Sequence, residues 1–225
     1  MNTHSYIFFD REPSLRDVDD DTLSQYKKEF AAKVHLSATV QISAYATLGL
    51  KPHTRFMLHL QALEASDIQI AVRDFLHTNL GKHLVISHTL LGVTRPSPYR
   101  RSKPDAVDEK LEIEERKHPE RRYLIVYPFT KTAAWHLLPF EERREMMGEH
   151  VGVARTHSEH ISQLLLYGYG IDDHEFIVSY ECDSLLEFQT LVMELRATRG
   201  RAYTHSDTPI FTCVRTSIEE ALSMV

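Results

Sequence analysis

The chain repeats itself, and that constrains its fold more than any single motif. Its first half sets Tyr45, Gly49, Leu50, Phe56, Gln69 and Gly81 in order, and its second half sets Tyr167, Gly170, Ile171, Phe176, Gln189 and Gly200. Phenylalanine to glutamine is thirteen residues in both halves; phenylalanine to glycine is 25 in one and 24 in the other. Around these markers the pattern runs strand, helix, hairpin, helix, strand, twice. That is the element order of a ferredoxin-like α+β unit, with helices packed on an antiparallel sheet.

The local signals agree. Strands are predicted over 5–10, 40–48, 55–62 and 84–94 in the first half, and over 122–129, 161–169, 174–181 and 208–215 in the second. Pro128 is expected to end or kink the strand 122–129. Leu23, Tyr26, Phe30 and Val34 recur at spacings of three and four, as on one helix face. The acids Asp17 to Asp21 before them suit a helix N-terminus. A second helix is expected over 66–80, capped by Ser66 or Asp67. Helices over 139–150 and 184–196 follow in the second half. The segment 95–121 carries Pro96, Pro98, Pro104 and Pro119 with little apolar periodicity, and reads as an exposed connection. The expected division is residues 1–98, a connection over 99–120, and residues 121–225.

Composition narrows the function classes. Of 225 residues, 42% are apolar, enough for a sizeable core. A net charge of −6 argues against a general nucleic-acid surface. No apolar run reaches transmembrane length, and the start shows no secretory leader, so a cytoplasmic protein is expected. Cys182 and Cys213 form no CxxC and read as buried small side chains. No phosphate loop, dinucleotide fingerprint or hydrolase elbow is present. The fourteen histidines make metal or proton chemistry worth testing.

The candidate chemistry lies between Tyr123 and Gln163. His150 falls at the expected end of the helix 139–150. There it has two readings: a charged imidazole at a helix C-terminus, or a neutral one free to bind iron. Glu149 is a possible partner for its second ring nitrogen. His150, His157 and His160 could together face one side and bind zinc, although Gly152 breaks the expected helix. Tyr127 reads as a core tyrosine or a redox-active phenol. Lys131 reads as an anion contact or as a lysine lying along the surface. Trp135, the sole tryptophan, is a packing anchor beneath a ligand. Arg116 and Arg122 could hold carboxylates in bidentate fashion.

The run YPFTKTAAWHLLPFEERREMMGEH resembles the signature of the chlorite dismutase-like superfamily, in its coproheme decarboxylase branch. The similarity continues through LLLYGYGIDDHEFIVSYECDSLLEFQ and takes in LGLKPHTRFMLHLQA of the first half. The resemblance implies two ferredoxin-like halves, a homo-oligomer that is commonly a pentamer, and a porphyrin in the second half. It makes His150 the proximal iron ligand and Tyr127 the oxidising residue. It sets Lys131, Trp135 and Arg116 against the porphyrin. It places Gln163 on the distal side, where true chlorite dismutases carry arginine. Some relatives use a distal histidine as base in the long connection, where this chain has His118.

The activity so implied is peroxide-dependent decarboxylation of two propionates of iron coproporphyrin III (coproheme), through a tyrosyl radical, to give haem b. Hydrogen peroxide is then the oxidant and a ferrochelatase the supplier of substrate. No nucleic-acid or membrane partner is implied. Chlorite dismutation or weak haem peroxidase activity is one alternative, and haem binding or sensing without turnover is another.

Overall fold

The computed structural model describes residues 2–99 and 121–225. Arg116 and His118 lie outside the described residues. In chain order the elements are β1 (Thr3–Arg11), α1 (Asp20–His35), β2 (Gln41–Ala46), β3 (Phe56–Ala62), α2 (Ala65–Leu76) and β4 (Leu84–Val93). Then come β5 (Tyr123–Lys131), α3 (Ala133–Leu137), α4 (Phe140–Thr156), β6 (Ile161–Tyr167), β7 (Phe176–Cys182) and α5 (Leu185–Arg196). β8 (Thr204–Ser206), β9 (Phe211–Thr216) and α6 (Ile218–Ser223) close the chain.

The repeat is closer than the sequence markers suggest. β1, α1, β2, β3 and α2 open 120 residues before β5, α4, β6, β7 and α5, as in 123 − 3 and 176 − 56. Gly49 and Gly170 take the same left-handed conformation, φ 79° and 73°, in the two hairpin turns. That conformation is nearly free for glycine and strained for other residues. Both halves are antiparallel α+β units of ferredoxin-like strand order. The first runs β4-β1-β3-β2 and the second β8-β5-β7-β6.

Two compact units result: Met1–Val93 with Phe211–Val225, and Thr94–Ile210. The last strand thus groups with the first unit, not with residues 121–210 as the sequence division has it. The cause is pairing: β9 lies antiparallel to β2, with Tyr45 opposite Arg215. α6 follows a capping box of Ser217 and Glu220, and buries Ile218, Ala221 and Leu222.

The first unit has a continuous apolar core. α1 starts where the Asp19 carboxylate accepts from the Thr22 amide at 3.0 Å. It turns Phe30, Ala31 and Val34 inward. Phe30 meets Phe56 and Phe75 with ring centres 6.2 and 5.7 Å apart. Each such ring removed from water contributes about 1.5–3 kcal/mol. α2 starts one residue before the expected Ser66 or Asp67 cap. Its N-cap is Glu64, with no side-chain capping bond, so packing of Ile68, Ala71 and Phe75 holds it.

In the second unit Ile125, Ile161, Val178, Tyr180, Cys182 and Leu191 form a smaller buried cluster. β5 does not stop at Pro128, which stands opposite Ile177 and is followed by three more strand residues. An antiparallel neighbour uses only every second N–H, so one missing donor need not end the pairing. Burial pushes the Cys182 thiol up to about 11 and the Cys213 thiol higher still. Among the described residues no helix is long and apolar enough to cross a membrane.

Candidate functional site

Alternation along β5 puts Tyr123, Ile125, Tyr127 and Phe129 on one sheet face, and all four belong to the second-unit cluster. Tyr127 lies beside Tyr180, ring centres 6.1 Å apart. Burial raises the Tyr127 phenol above its ordinary value, with the neighbouring Tyr180 hydroxyl opposing. Tyr127 is therefore a protonated phenol at neutral pH. Tyr180 is fully shielded, and burial raises it further.

Gln163 stands opposite Tyr180 in the β6–β7 ladder, and Tyr180 stands opposite Ile125 in the β7–β5 ladder. Gln163 and Tyr127 thus share one sheet face, two strand spacings apart, or roughly 10 Å across the sheet. Gln163 is exposed on that face.

His150 comes from α4. The helix does not end there; it runs through Gly148 and Gly152 to Thr156. A Cβ added at either glycine would meet nothing within 4 Å, so these glycines sit on an open side and do not interrupt the packing. His150 is therefore inside the helix and lacks the C-terminal dipole that would favour its charged form. Burial, then the Lys131 charge, lower its affinity for a proton. Met146, four residues earlier, is buried, and Val153, three residues later, packs on the Tyr180 cluster. Helical spacing puts His150 on the same side of α4, toward that cluster. A neutral imidazole there is a competent metal ligand.

Lys131 ends β5 and is half-buried. Its ammonium donates to the Gly200 carbonyl at 3.1 Å and lies 4.6 Å from the Trp135 ring centre. Burial, then the Arg201 charge, bring it down to about 8, with Glu175 opposing. Trp135 is buried beneath it on α3, whose first turn is capped by the Thr132 hydroxyl. Gly200 is buried, yet a Cβ built there would meet nothing within 4 Å. An open cradle thus lies beside the Lys131 contact.

Several members of this group carry no signal in the sequence. Arg201 and Arg196 both donate to one oxygen of Asp207, at 2.7 and 3.2 Å. All three act electrostatically on Tyr127, and Arg201 acts on Lys131. One carboxylate shared by two guanidiniums beside a lysine leaves a surplus of positive charge. On the His150 side of α4, seven residues earlier, the buried Arg143 Nε has no hydrogen-bond partner. The site suits an anionic ligand with a metal to coordinate. A tetracarboxylate iron porphyrin fits: His150 could take the iron, and Lys131 and Arg201 could take carboxylates.

Other sequence candidates go elsewhere. Glu149 pairs with Arg199 at 3.0 Å. His157 pairs with Glu194 at 2.9 Å. Among the described residues no three metal-binding side chains cluster, which removes the zinc trio of His150, His157 and His160. Arg122 is exposed, its guanidinium carbon 5.1 Å from the Tyr123 ring centre. Arg116 belongs to the segment that is not described.

The family profile for chlorite dismutase matches residues 21–216. A coproheme decarboxylase of Mycolicibacterium smegmatis is 31% identical over 180 residues, covering 80% of this chain and 74% of that protein. Among solved structures, chlorite dismutase from Candidatus Nitrospira defluvii in complex with imidazole is 25% identical. It superposes with a TM-score of 0.87 over 99% of this chain and 94% of that one. A single-residue variant of the same enzyme superposes at 0.88, at 25% identity and with the same coverage. The α+β fold and its duplicated ferredoxin-like halves are those of a chlorite dismutase-like protein. The chain belongs to the chlorite dismutase family.

Proposed function

We propose that the protein is a coproheme decarboxylase, converting iron coproporphyrin III to haem b with hydrogen peroxide. The observation that carries this reading is the neutral His150 on the inner side of α4, in the same unit as Tyr127 and the Lys131–Arg201 charge. The kinship to a coproheme decarboxylase supports it.

Iron coproporphyrin III is the substrate, and its iron supplies the oxidising equivalents that peroxide delivers. His150 coordinates the iron. Lys131 and Arg201 hold carboxylates that must not react, and Trp135 packs beneath. Tyr127 gives up an electron and its phenolic proton. The tyrosyl radical then takes a hydrogen atom from a propionate β-carbon. Loss of a second electron and carbon dioxide leaves a vinyl group. Per round, a propionate side chain, one H2O2 and one proton give the vinyl, CO2 and two waters. Two rounds pass through a three-propionate stage.

Gln163 contributes a polar but uncharged group on the same sheet face. It cannot supply the fixed positive charge that an oxychlorine anion would need, which counts against chlorite as substrate. The reading includes a cytoplasmic homo-oligomer, a pentamer as the resemblance implies, supplied by a ferrochelatase.

Anaerobic loading with ferric coproporphyrin III, peroxide titration and mass analysis of the porphyrin test the proposal. Loss of two carboxyl groups is expected. Tyr127→Phe should bind the porphyrin and stop at four propionates. Normal conversion by Tyr127→Phe would sink the radical role, and a porphyrin left intact by the unaltered protein would sink the reading.

A further inference from the structure

β7 begins two residues too late to pair with Lys131, the end of β5. Their ladder closes at Phe129 opposite Phe176, while on the other edge of β5 the register with β8 shifts between Thr130 and Lys131. The amide of Lys131 therefore has no β7 carbonyl across from it. Glu175, the residue just before β7, supplies an acceptor with its side chain. Its Oε2 takes the Lys131 N–H at 2.8 Å. Its Oε1 takes the ring N–H of His136 at 2.8 Å, from α3 at the far side of the same corner. The Tyr169 ring, from the β6–β7 turn, packs edge-on against the His136 ring with centres 6.1 Å apart.

The first unit shows what is particular here. The position equivalent to Lys131 is Arg11 (131 − 120), and its amide is also taken by a carboxylate, that of its neighbour Asp10 at 2.9 Å. The position equivalent to Glu175 is Arg55 (175 − 120), which donates to the same Asp10 at 3.1 Å. There the anion sits on the strand end and the cation on the hairpin. In the second unit the anion has moved to the hairpin, as Glu175, while the strand end keeps a cation, Lys131 in place of Arg11.

We propose that Glu175 is a positioning residue, whose carboxylate fixes the corner between β5 and α3 so that the Lys131 ammonium is presented to an anionic ligand. The inference rests on the reading of Lys131 as a carboxylate contact. Glu175 touches no ligand itself. It acts on the Lys131 backbone, while the ammonium at the end of that side chain is held by the Gly200 carbonyl and lies over Trp135.

The test is a double-mutant cycle on binding of ferric coproporphyrin III, followed by absorbance without peroxide. Glu175→Ala should weaken binding by about tenfold, at the low end for residues that orient ligand-contacting groups. Glu175→Gln keeps one carbonyl acceptor and should recover part of the loss. On a Lys131→Met background, Glu175→Ala should cost nothing further. Hydrogen exchange of 131–136 gives a readout without ligand: Glu175→Ala should raise it there while β6 and β7 stay protected. If Glu175→Ala unfolds the unit, Glu175→Gln carries both measurements.

An unchanged affinity in Glu175→Ala, or an equal loss with and without Lys131, would overturn the inference. If the unaltered protein binds no ferric coproporphyrin, the proposed function falls instead. Exchange at 131–136 then decides on Glu175, and unchanged exchange overturns its role.

Discussion

The two halves of this molecule share one backbone plan and fill it differently. At positions 120 residues apart, the first half has Ile7, Leu15, Phe30 and Leu80, all buried in an apolar core. The second half has Tyr127, Trp135, His150 and Gly200 in their places. The scaffold that holds a closed core in one half holds a phenol, a neutral imidazole and an open cradle in the other. Under the proposed function, the difference is how a ferredoxin-like unit would acquire a site. The strands and helix starts stay in place, and the apolar plugs are replaced by functional or smaller residues. Polar groups then arrive from the new corners.

Exchanging the residue pair at 30 and 150 should produce the largest effects. Phe30→His would remove a ring that packs on Phe56 and Phe75 and bury an imidazole without a designed partner. A loss of roughly 3 kcal/mol or more is expected from urea denaturation. His150→Phe should leave folding intact, yet weaken ferric coproporphyrin binding by more than about a hundredfold. That exceeds what outer-shell changes typically do. If Phe30→His is tolerated, the contrast between a closed and an open half is wrong.

Gly200→Leu, which restores the first-half residue, comes next. The open space at its Cβ predicts a folded protein with an unchanged melting temperature. Ligand affinity should drop by about tenfold, through lost room and a displaced Lys131 contact. In the first half the neighbouring Gly81 offers no such latitude. A Cβ there would stand 2.1 Å from the Phe75 carbonyl oxygen.

The smallest effect concerns pH. The folded protein lowers Lys131 to about 8, from an ordinary 10.5. The unfolded chain therefore holds the proton more tightly between those values. Stability of the ligand-free protein should rise with pH across that window, in which Lys131 is already neutral when folded. Binding of a polycarboxylate should weaken as pH climbs through about 8, by at most about tenfold per unit. Lys131→Met should flatten this dependence, which porphyrin titrations from pH 7 to 10 would show.

Much of this was legible before any coordinates. The repeat announced two α+β units because the strand-start phenylalanine and the helix glutamine recur thirteen residues apart in both halves. Tyr127, Lys131, Trp135 and His150 each had an ordinary packing or surface reading, and only the family resemblance drew them together as one candidate site. The C-terminal strand was legible over 208–215, but its partner was not. Periodicity marks a strand but not its partner, so nothing local says that β9 joins β2. The continuation of α4 was hidden by Gly152, a residue type that usually signals an end. α6 could have been found from Ser217 and Glu220, three residues apart before an apolar pair. Tyr180, Arg201, Asp207 and Glu175 were out of reach for another reason. Each is ordinary in its own segment and gains meaning only where separate elements converge.

The two cysteines bear on how such a protein would survive its own chemistry. Oxidation by peroxide proceeds through the thiolate, and shielding from solvent starves that form. With Cys182 up at about 11, only about one molecule in ten thousand carries the thiolate at pH 7. Cys213 is held still more firmly as the thiol. A chain proposed to consume hydrogen peroxide thus keeps both of its sulfhydryls chemically silent. It leaves the oxidant's equivalents to the phenol that can use them.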